Sequence, residues 1–280
     1  TVRGNGYAIK GLTAPLFGTT NASIKGLHLR DVAIVTNDDP ISAALARTVT
    51  ANETTIPEIS HCSVSGSLVV ENPTYAAVGA YSGNELVYAG LIARSFGAKI
   101  DNCVNNVSVT INNLTKPGDT ASIYGFYAGV VGWSIEHTRA DSSKIFNDIT
   151  NCVNNGAILL QDESVPDEVT TRAAYIGGIV ARSSDTNEAK LSGNTNNGTI
   201  TVTSLTYNSG GRSMVGGIIA RGRHFSEFNN NVNSAKGKIT IGPMTNVYVG
   251  GIIGYNNNVA GEFLANLWSG SNCHNHADIT

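Results

Sequence analysis

A unit of about forty residues recurs along this chain, and a fixed-period repeat of that kind restricts it to a stacked array. One half of the unit is a small-residue step into two apolar residues. It reads Ala89-Gly90-Leu91-Ile92, Ala128-Gly129-Val130-Val131, Gly177-Gly178-Ile179-Val180, Gly216-Gly217-Ile218-Ile219 and Gly250-Gly251-Ile252-Ile253. The other half is a polar turn into an alternating strand. It runs from Ile100-Asp101-Asn102-Cys103 to Ile111, from Ile149-Thr150-Asn151-Cys152 to Leu160, and from Leu191-Ser192-Gly193-Asn194 to Val202. Degenerate copies lie upstream. Ser42 to Arg47 aligns without gaps to Ala89 to Arg94, and Ile59 to Val70 aligns to Ile100 to Ile111. Pro15 to Gly18 and Ile24 to Val35 fill the same two slots further back. Asn272 to Ile279 is a last partial copy, which makes about seven in all.

The small-residue steps at Gly90, Gly129, Gly178, Gly217 and Gly251 are separated by 39, 49, 39 and 34 residues. The variation falls in polar stretches that carry Pro or Gly, such as Asn112 to Ser122, Glu136 to Lys144, Asp162 to Arg172 and Ser204 to Ser213. These read as loops inserted at fixed points of each copy. Each copy offers three short strands, none with a face large enough to bury alone. Stacked, they share one continuous core. The expected fold is therefore all-β: a single-domain parallel β-helix or β-solenoid over residues 1–280, with three short strands per coil. About seven coils at ~4.8 Å each would make a rod roughly 34 Å long, right-handed because parallel crossovers favour that hand. A propeller is the alternative at this period. A blade needs four strands and hairpin turns, and few Asn-Gly pairs here suit two-residue hairpins.

Composition agrees with many short strands joined by tight turns. Gly is abundant at 31 residues, Asn is about as common, and Thr, Val and Ile fill the periodic segments. Hydrophobic residues make up 41% of the 280, enough for a large core. Charged residues make up only 14% and the net charge is -3, with no basic patch, which argues against nucleic acid as a partner. No apolar stretch approaches the ~20 residues that cross a bilayer. Thr1 to Gly4 already reads as the inside of a folded element, and Ala277 to Thr280 stops within a repeat strand. The chain is thus expected to be part of a longer protein.

Stacking sets equivalent residues above one another. One column reads Leu27, Cys62, Cys103, Cys152, Asn194, Asn231, Cys273. A ladder of ligands at one coil spacing is linear and makes a poor metal site. A disulfide between neighbouring coils is geometrically allowed, and a small buried apolar filler is the simpler role for Cys. The Asn pairs Asn105-Asn106, Asn154-Asn155 and Asn196-Asn197 suit tight turns and amide ladders from coil to coil. A further column, Arg47, Arg94, Trp133, Arg182, Arg221 and Tyr255, is the candidate ligand-binding set, because arginines and flat rings suit acidic polysaccharides. Against it stands strand parity, which puts this column on the apolar side unless the chain bends after Ala46 and Ala93. It also stands against a solvated strand end whose long side chains cover apolar surface.

Catalysis on such a scaffold needs clustered acids or a base near a bound sugar. The acids here are scattered: Asp38, Asp39, Glu53, Asp119, Asp141, and Asp162, Glu163, Asp167 and Glu168 around Pro166. The six histidines are His28, His61, His137, His224, His274 and His276, and no third metal ligand is evident beside His274 and His276. No nucleophile motif, phosphate loop or zinc signature is present. The chain is accordingly expected to be neither an enzyme nor a holder of metal or cofactor. Its alternative is a polysaccharide lyase or glycoside hydrolase on the same scaffold, or an inert surface spacer.

The repeats resemble the GLUG-motif family of bacterial surface proteins. The closest counterparts are Gly251-Ile252-Ile253-Gly254-Tyr255, and Ile149-Thr150-Asn151-Cys152 through Gly156 to Ile158. The opening Gly4-Asn5-Gly6-Tyr7-Ala8-Ile9-Lys10-Gly11-Leu12 is similar to the first coils of such Bacteroides-like proteins. Departures are Arg for the usual Tyr in four copies and Asn for Cys in two. The resemblance implies an exported, adhesin-like β-solenoid at the bacterial cell surface, outer-membrane associated, that binds host or microbial glycans or surface proteins. It brings no shared catalytic residues with it.

Overall fold

The computed structural model describes residues 1–37, 39–71, 76–77, 84–112, 123–161, 172–183, 189–203, 212–222, 225–243, 246–256 and 271–280. They form an all-β structure with four large sheets, parallel except for a short antiparallel strand, Ala76–Ala77, on the edge of one. The chain passes through the sheets in a fixed order. In one repeat, sheet 1 takes Asn84–Ala89, sheet 2 takes Ile92–Phe96, sheet 3 takes Lys99–Asp101 and sheet 4 takes Val104–Asn112. The next repeat lays Ile123–Ala128, Val131–Ile135, Asp148–Thr150, and Val153–Asn154 with Ile158–Gln161 on those four in register. This is a parallel β-solenoid. The expected three strands per coil need correction to four. The missed strand precedes each small-residue step, and its alternation in Leu86-Val87-Tyr88 is masked because both of its faces are apolar and buried.

One apolar cluster fills the interior from Ile24 to Ile239 and draws on all four sheets, with Leu86, Ile92, Ile100 and Val109 from a single repeat. The corner between sheets 3 and 4 is a column of left-handed residues. Gly26, His61, Asn102, Asn151, Gly193, Asn230 and Asn272 all have φ between 50° and 70°. Asn and Gly adopt this conformation at least cost, which accounts for the Asn just before Cys103, Cys152 and Cys273. The Cys/Asn column follows directly. Thiols of Cys62, Cys103 and Cys152 lie 3.5, 3.5 and 3.7 Å from the carbonyl oxygens of Ile24, Ile59 and Ile100, one repeat back. Asn194 and Asn231 donate Nδ2 to the Ile149 and Leu191 oxygens at 3.0 and 2.8 Å. Cys and Asn exchange in this column because each supplies one donor to a carbonyl freed by the turn. All four cysteines are free, so the disulfide that spacing allows is not formed. The adjacent Cys103 thiol and burial push the Cys62 thiol up, which suppresses thiolate chemistry. Cys103→Ala is expected to cost about 1–2 kcal/mol in urea denaturation, through a lost donor and a small void.

The two halves of the repeat meet in the interior. Asn105, Asn154, Asn196, Asn233 and Asn275 form a ladder, each Nδ2 donating to the next Oδ1 at 2.8 to 2.9 Å. Asn105, Asn154, Asn196 and Asn275 also brace their own turns, as Asn154 Nδ2 does by donating to the Gly156 oxygen at 3.0 Å. The glycine of each small-residue step lies against this ladder. A Cβ on Gly90, Gly129, Gly178, Gly217 or Gly251 would come within 2.2 to 2.5 Å of Cγ of Asn105, Asn154, Asn196, Asn233 or Asn275 respectively, or closer still to another atom. Upstream, Val64 stands in register with Asn105, and Ala44 fills the glycine's place. Without an amide to admit, the step does not need a glycine. An outer ladder parallels the inner one, with Asn155 donating to Asn106 and Asn197 to Asn155, both at 2.8 Å.

Three features lay outside the sequence expectations. Asn147 is buried at the entry to sheet 3. It accepts from Ser95 Oγ at 2.6 Å and Ala98 N at 2.9 Å, and donates to the Ser95 and Ile135 oxygens. The outer side of sheet 3 carries alternating charges in register, Glu58, Lys99, Asp148, Lys190 and Glu227. Within this ladder Lys190 pairs with Glu227 at 2.5 Å, and Lys25, in register with Ser60, reaches Glu58 at 2.5 Å. The insertion read as a loop at Glu136 to Lys144 contains a small antiparallel pair, His137–Thr138 with Lys144–Ile145.

Candidate functional site

Sheet 1 has two buried faces. Leu86 and Tyr88 point to the interior, while Val87 and Ala89 belong to a second apolar cluster on the other side. That cluster fills the outer angle between sheets 1 and 2. From sheet 2 it takes Ala93, Trp133, Ile135, Ala181 and Ala220. Sheet 2 reaches it by a local break in alternation. Ile92 and Ser95 face the interior, where Ser95 meets Asn147, whereas Ala93 faces the outer angle and Arg94 lies over the Phe96 ring. Two successive residues turned outward give the bend on which the candidate column depends.

Register places Arg94, Trp133, Arg182, Arg221 and Tyr255 in one column, as expected. Arg47 is not in it. The partner of Arg94 is Thr48, because Ala43 pairs with Ala89 and Ala46 with Ile92, so the gapless upstream alignment is one residue out. Arg47 points elsewhere and pairs with Asp39 Oδ1 at 2.6 Å. The column is interleaved with aromatic residues of sheet 1. Phe126 contacts Trp133 at 5.1 Å and stacks on Tyr175 at 5.3 Å. The Arg182 guanidinium lies 5.3 Å from the Trp133 ring centre and 5.4 Å from that of Phe126, and Arg221 lies 5.7 Å from that of Tyr175. Tyr255 contacts Tyr248, over which Arg212 sits at 5.7 Å.

This is a packed cation–π stack and not a ladder displayed to solvent. Trp133 is 2% exposed and Arg182 8%, whereas Arg94, Arg221 and Tyr255 are only partly covered. Glu85 is the residue that sequence reasoning missed. It is 2% exposed, shares the outward parity of Val87, and its Oε2 has no hydrogen-bond partner. Burial pushes its carboxyl up to about 7, against the opposing pull of Arg182 and Arg94. Its signal was the alternation Glu85-Leu86-Val87-Tyr88, legible only once that segment is read as a strand. Burial lowers the Arg94 guanidinium, with Glu85 opposing and Arg47 adding to the shift.

The sign of the Glu85 effect follows from linkage. Its folded value of about 7 exceeds the ordinary 4.5, so the folded state holds a proton that the unfolded state has released. Stability contributed by the protonated carboxyl is complete below about 4.5 and is lost as pH rises towards 7. The full loss is on the order of 3 kcal/mol. Glu85→Gln is expected to remove that slope and raise the urea midpoint at pH 8. An unchanged pH profile in the variant would show that Glu85 carries no such linkage.

No cluster of three His, Cys, Asp or Glu suited to a metal ion occurs among the described residues. Asp39 serves Arg47, Glu53 accepts from Ala140 N, and Asp141 accepts from Ser143 N. His274 and His276 stack on each other with ring centres 5.7 Å apart. Asp38, Asp119, Asp162, Glu163, Asp167, Glu168 and His224 lie outside the described residues. No helix is long and apolar enough to cross a membrane among the described residues.

No family model matches the chain, and no curated protein matches it. Among solved structures, the chain is similar to one titled IgA1 Protease, with 17% identity and a TM-score of 0.56. The likeness covers 99% of this chain and 17% of that one, so the chain spans about a sixth of the length of the protein it matches. At this identity the likeness establishes the fold, a β-solenoid. It also corrects the expectation of a chain that is not an enzyme. That expectation drew on scattered acids and missing motifs, whereas the solved structure with this fold is named as a protease.

Proposed function

We propose that the chain is a stretch of a longer exported bacterial surface protein, a solenoid that presents varied segments to glycan or protein partners. The right-handed winding, about seven coils and a single continuous domain belong to this reading. So does membership of the GLUG-like surface proteins. The observation that supports it most is where sequence variation is anchored. The segments after Glu71, Asn112, Gln161 and Val202 each leave the end of a sheet 4 strand and rejoin the chain in sheet 1. Those strand ends stack in register, so the attachment points line up along one edge of the solenoid. The columns around them repeat, while the segments are unlike in sequence: Asn113 to Ser122, Asp162 to Thr171 and Thr203 to Arg212 share no pattern. A regular wall with unlike insertions on one edge is a display architecture.

A glycan array that includes acidic polysaccharides tests the proposal. The purified chain is compared with variants in which 113–122 or 162–171 is replaced by a Gly/Ser segment of equal length. Expected is saturable binding that one replacement removes while the thermal transition stays in place. No glycan binding, or binding that every replacement leaves intact, would overturn the glycan form of the proposal.

A further inference from the structure

We infer that the outer corner between sheets 3 and 4, at the N-terminal end of the solenoid, is a binding site for the anionic group of an acidic saccharide. The site is distinct from the edge that carries the varied segments. It is an open depression of about 490 Å³, whose lining includes Arg3, Lys25, Gly26, His28, Glu58 and His61. That volume falls in the range of small-molecule sites.

The depression lies where the column carries a glycine with open space beside it; at Gly193, the column's other glycine, a Cβ would lie 2.4 Å from Asn151 Oδ1, so no such opening is left there. Four other positions of the left-handed corner column carry Asn102, Asn151, Asn230 and Asn272. Gly26 has no side chain, and a Cβ built on it would meet nothing within 4 Å. The next position departs from Asn in a different way. His61 holds φ at 55°, where every other member is Asn or Gly. His tolerates this conformation as Asn does, so the exchange of Asn for His here changes the side chain presented at the corner and not the backbone.

The walls define the chemistry. Arg3 and Lys25 bring two fixed cations, and Glu58, paired with Lys25 at 2.5 Å, cancels one. Asp101 borders His61, but its carboxylate is occupied by Thr150 Oγ1 at 2.7 Å and Asn151 Nδ2 at 2.9 Å. The remaining charge is positive. Arg3 supplies a planar fork of donors that matches a carboxylate or sulfate. His28 is oriented by Ser63 Oγ at 2.8 Å from Nδ1. A metal ion does not suit the site, since no three acidic, His or Cys ligands converge there among the described residues.

The test follows the imidazole signals of His28 and His61 by NMR during titration with sodium glucuronate, inorganic sulfate and glucose. Expected are saturable shifts with glucuronate or sulfate and none with glucose. Arg3→Gln should weaken the binding at least tenfold. Gly26→Asn fills the open space beside the glycine at a φ that Asn tolerates, and should abolish binding while the thermal transition is unchanged. Shifts that are linear to high concentration would mean no site. Equal response to glucose, or full binding by folded Gly26→Asn, would equally overturn the inference.

Discussion

Gly90→Ala is expected to destabilise the solenoid by about 3–4 kcal/mol, a large effect for one methyl group. The new Cβ would lie 2.2 to 2.4 Å from Oδ1, Nδ2 and Cγ of Asn105, so the amide must move. Asn105 is fully buried, and its displacement strips several bonds at once. Its Oδ1 accepts from Val107 N at 3.0 Å, and its Nδ2 donates to Val107 O at 3.1 Å and to Asn154 Oδ1 at 2.8 Å. Those groups have no access to water, so each unpaired one carries its desolvation cost. Because repeat arrays unfold locally, hydrogen exchange is the suitable companion to denaturation. Amides of 84–112 should lose protection before those of 213–241. Uniform loss of protection, or a cost below about 1 kcal/mol, would contradict this packing.

Trp133→Ala should cost about 4 kcal/mol. The indole is 2% exposed and packs against both Phe126 and the Arg182 guanidinium. Truncation opens a void in the outer angle and removes the π-face over which a mostly buried cation sits. The prediction separates two roles for the column. A displayed ligand ladder would tolerate the change in stability and lose only binding. A packed stack loses stability whether or not a ligand is present. Urea denaturation of Trp133→Ala beside Arg47→Ala sharpens the contrast, since Arg47 lies outside the column and its partly exposed pair with Asp39 is worth about 1 kcal/mol.

What the sequence disclosed and what it concealed have physical causes. The parallel solenoid was legible because the Gly step and the Ile-to-Cys turn recur with fixed chemistry, and register pairs Ile59, Ile100, Ile149 and Leu191 as the motif aligns them. The amide ladder was legible too, since consecutive Asn residues at one slot can only bond to one another when stacked. The fourth strand was not, because Leu86-Val87-Tyr88 and Phe126-Tyr127-Ala128 are buried on both faces and show no polar alternation. That omission hid Glu85 and the aromatic partners of the arginine column, and with them its burial. The upstream misalignment of Arg47 arose from matching Arg to Arg, whereas backbone pairing follows the apolar residues Ala46 and Ile92. The dependence of the glycine on the asparagine is written in the sequence as a paired change, Ala44 with Val64 against Gly90 with Asn105. It becomes readable only when the interior brings the two halves together.

That dependence is the central claim, and a double-mutant cycle on Gly90 and Asn105 tests it most directly. Asn105→Val alone should cost about 2–3 kcal/mol through lost amide bonds. The pair Gly90→Ala with Asn105→Val rebuilds the upstream joint of Ala44 and Val64, so it should cost less than the sum of the single changes by about 2 kcal/mol. Additivity within about 0.5 kcal/mol would mean that the two halves of the repeat do not form one joint.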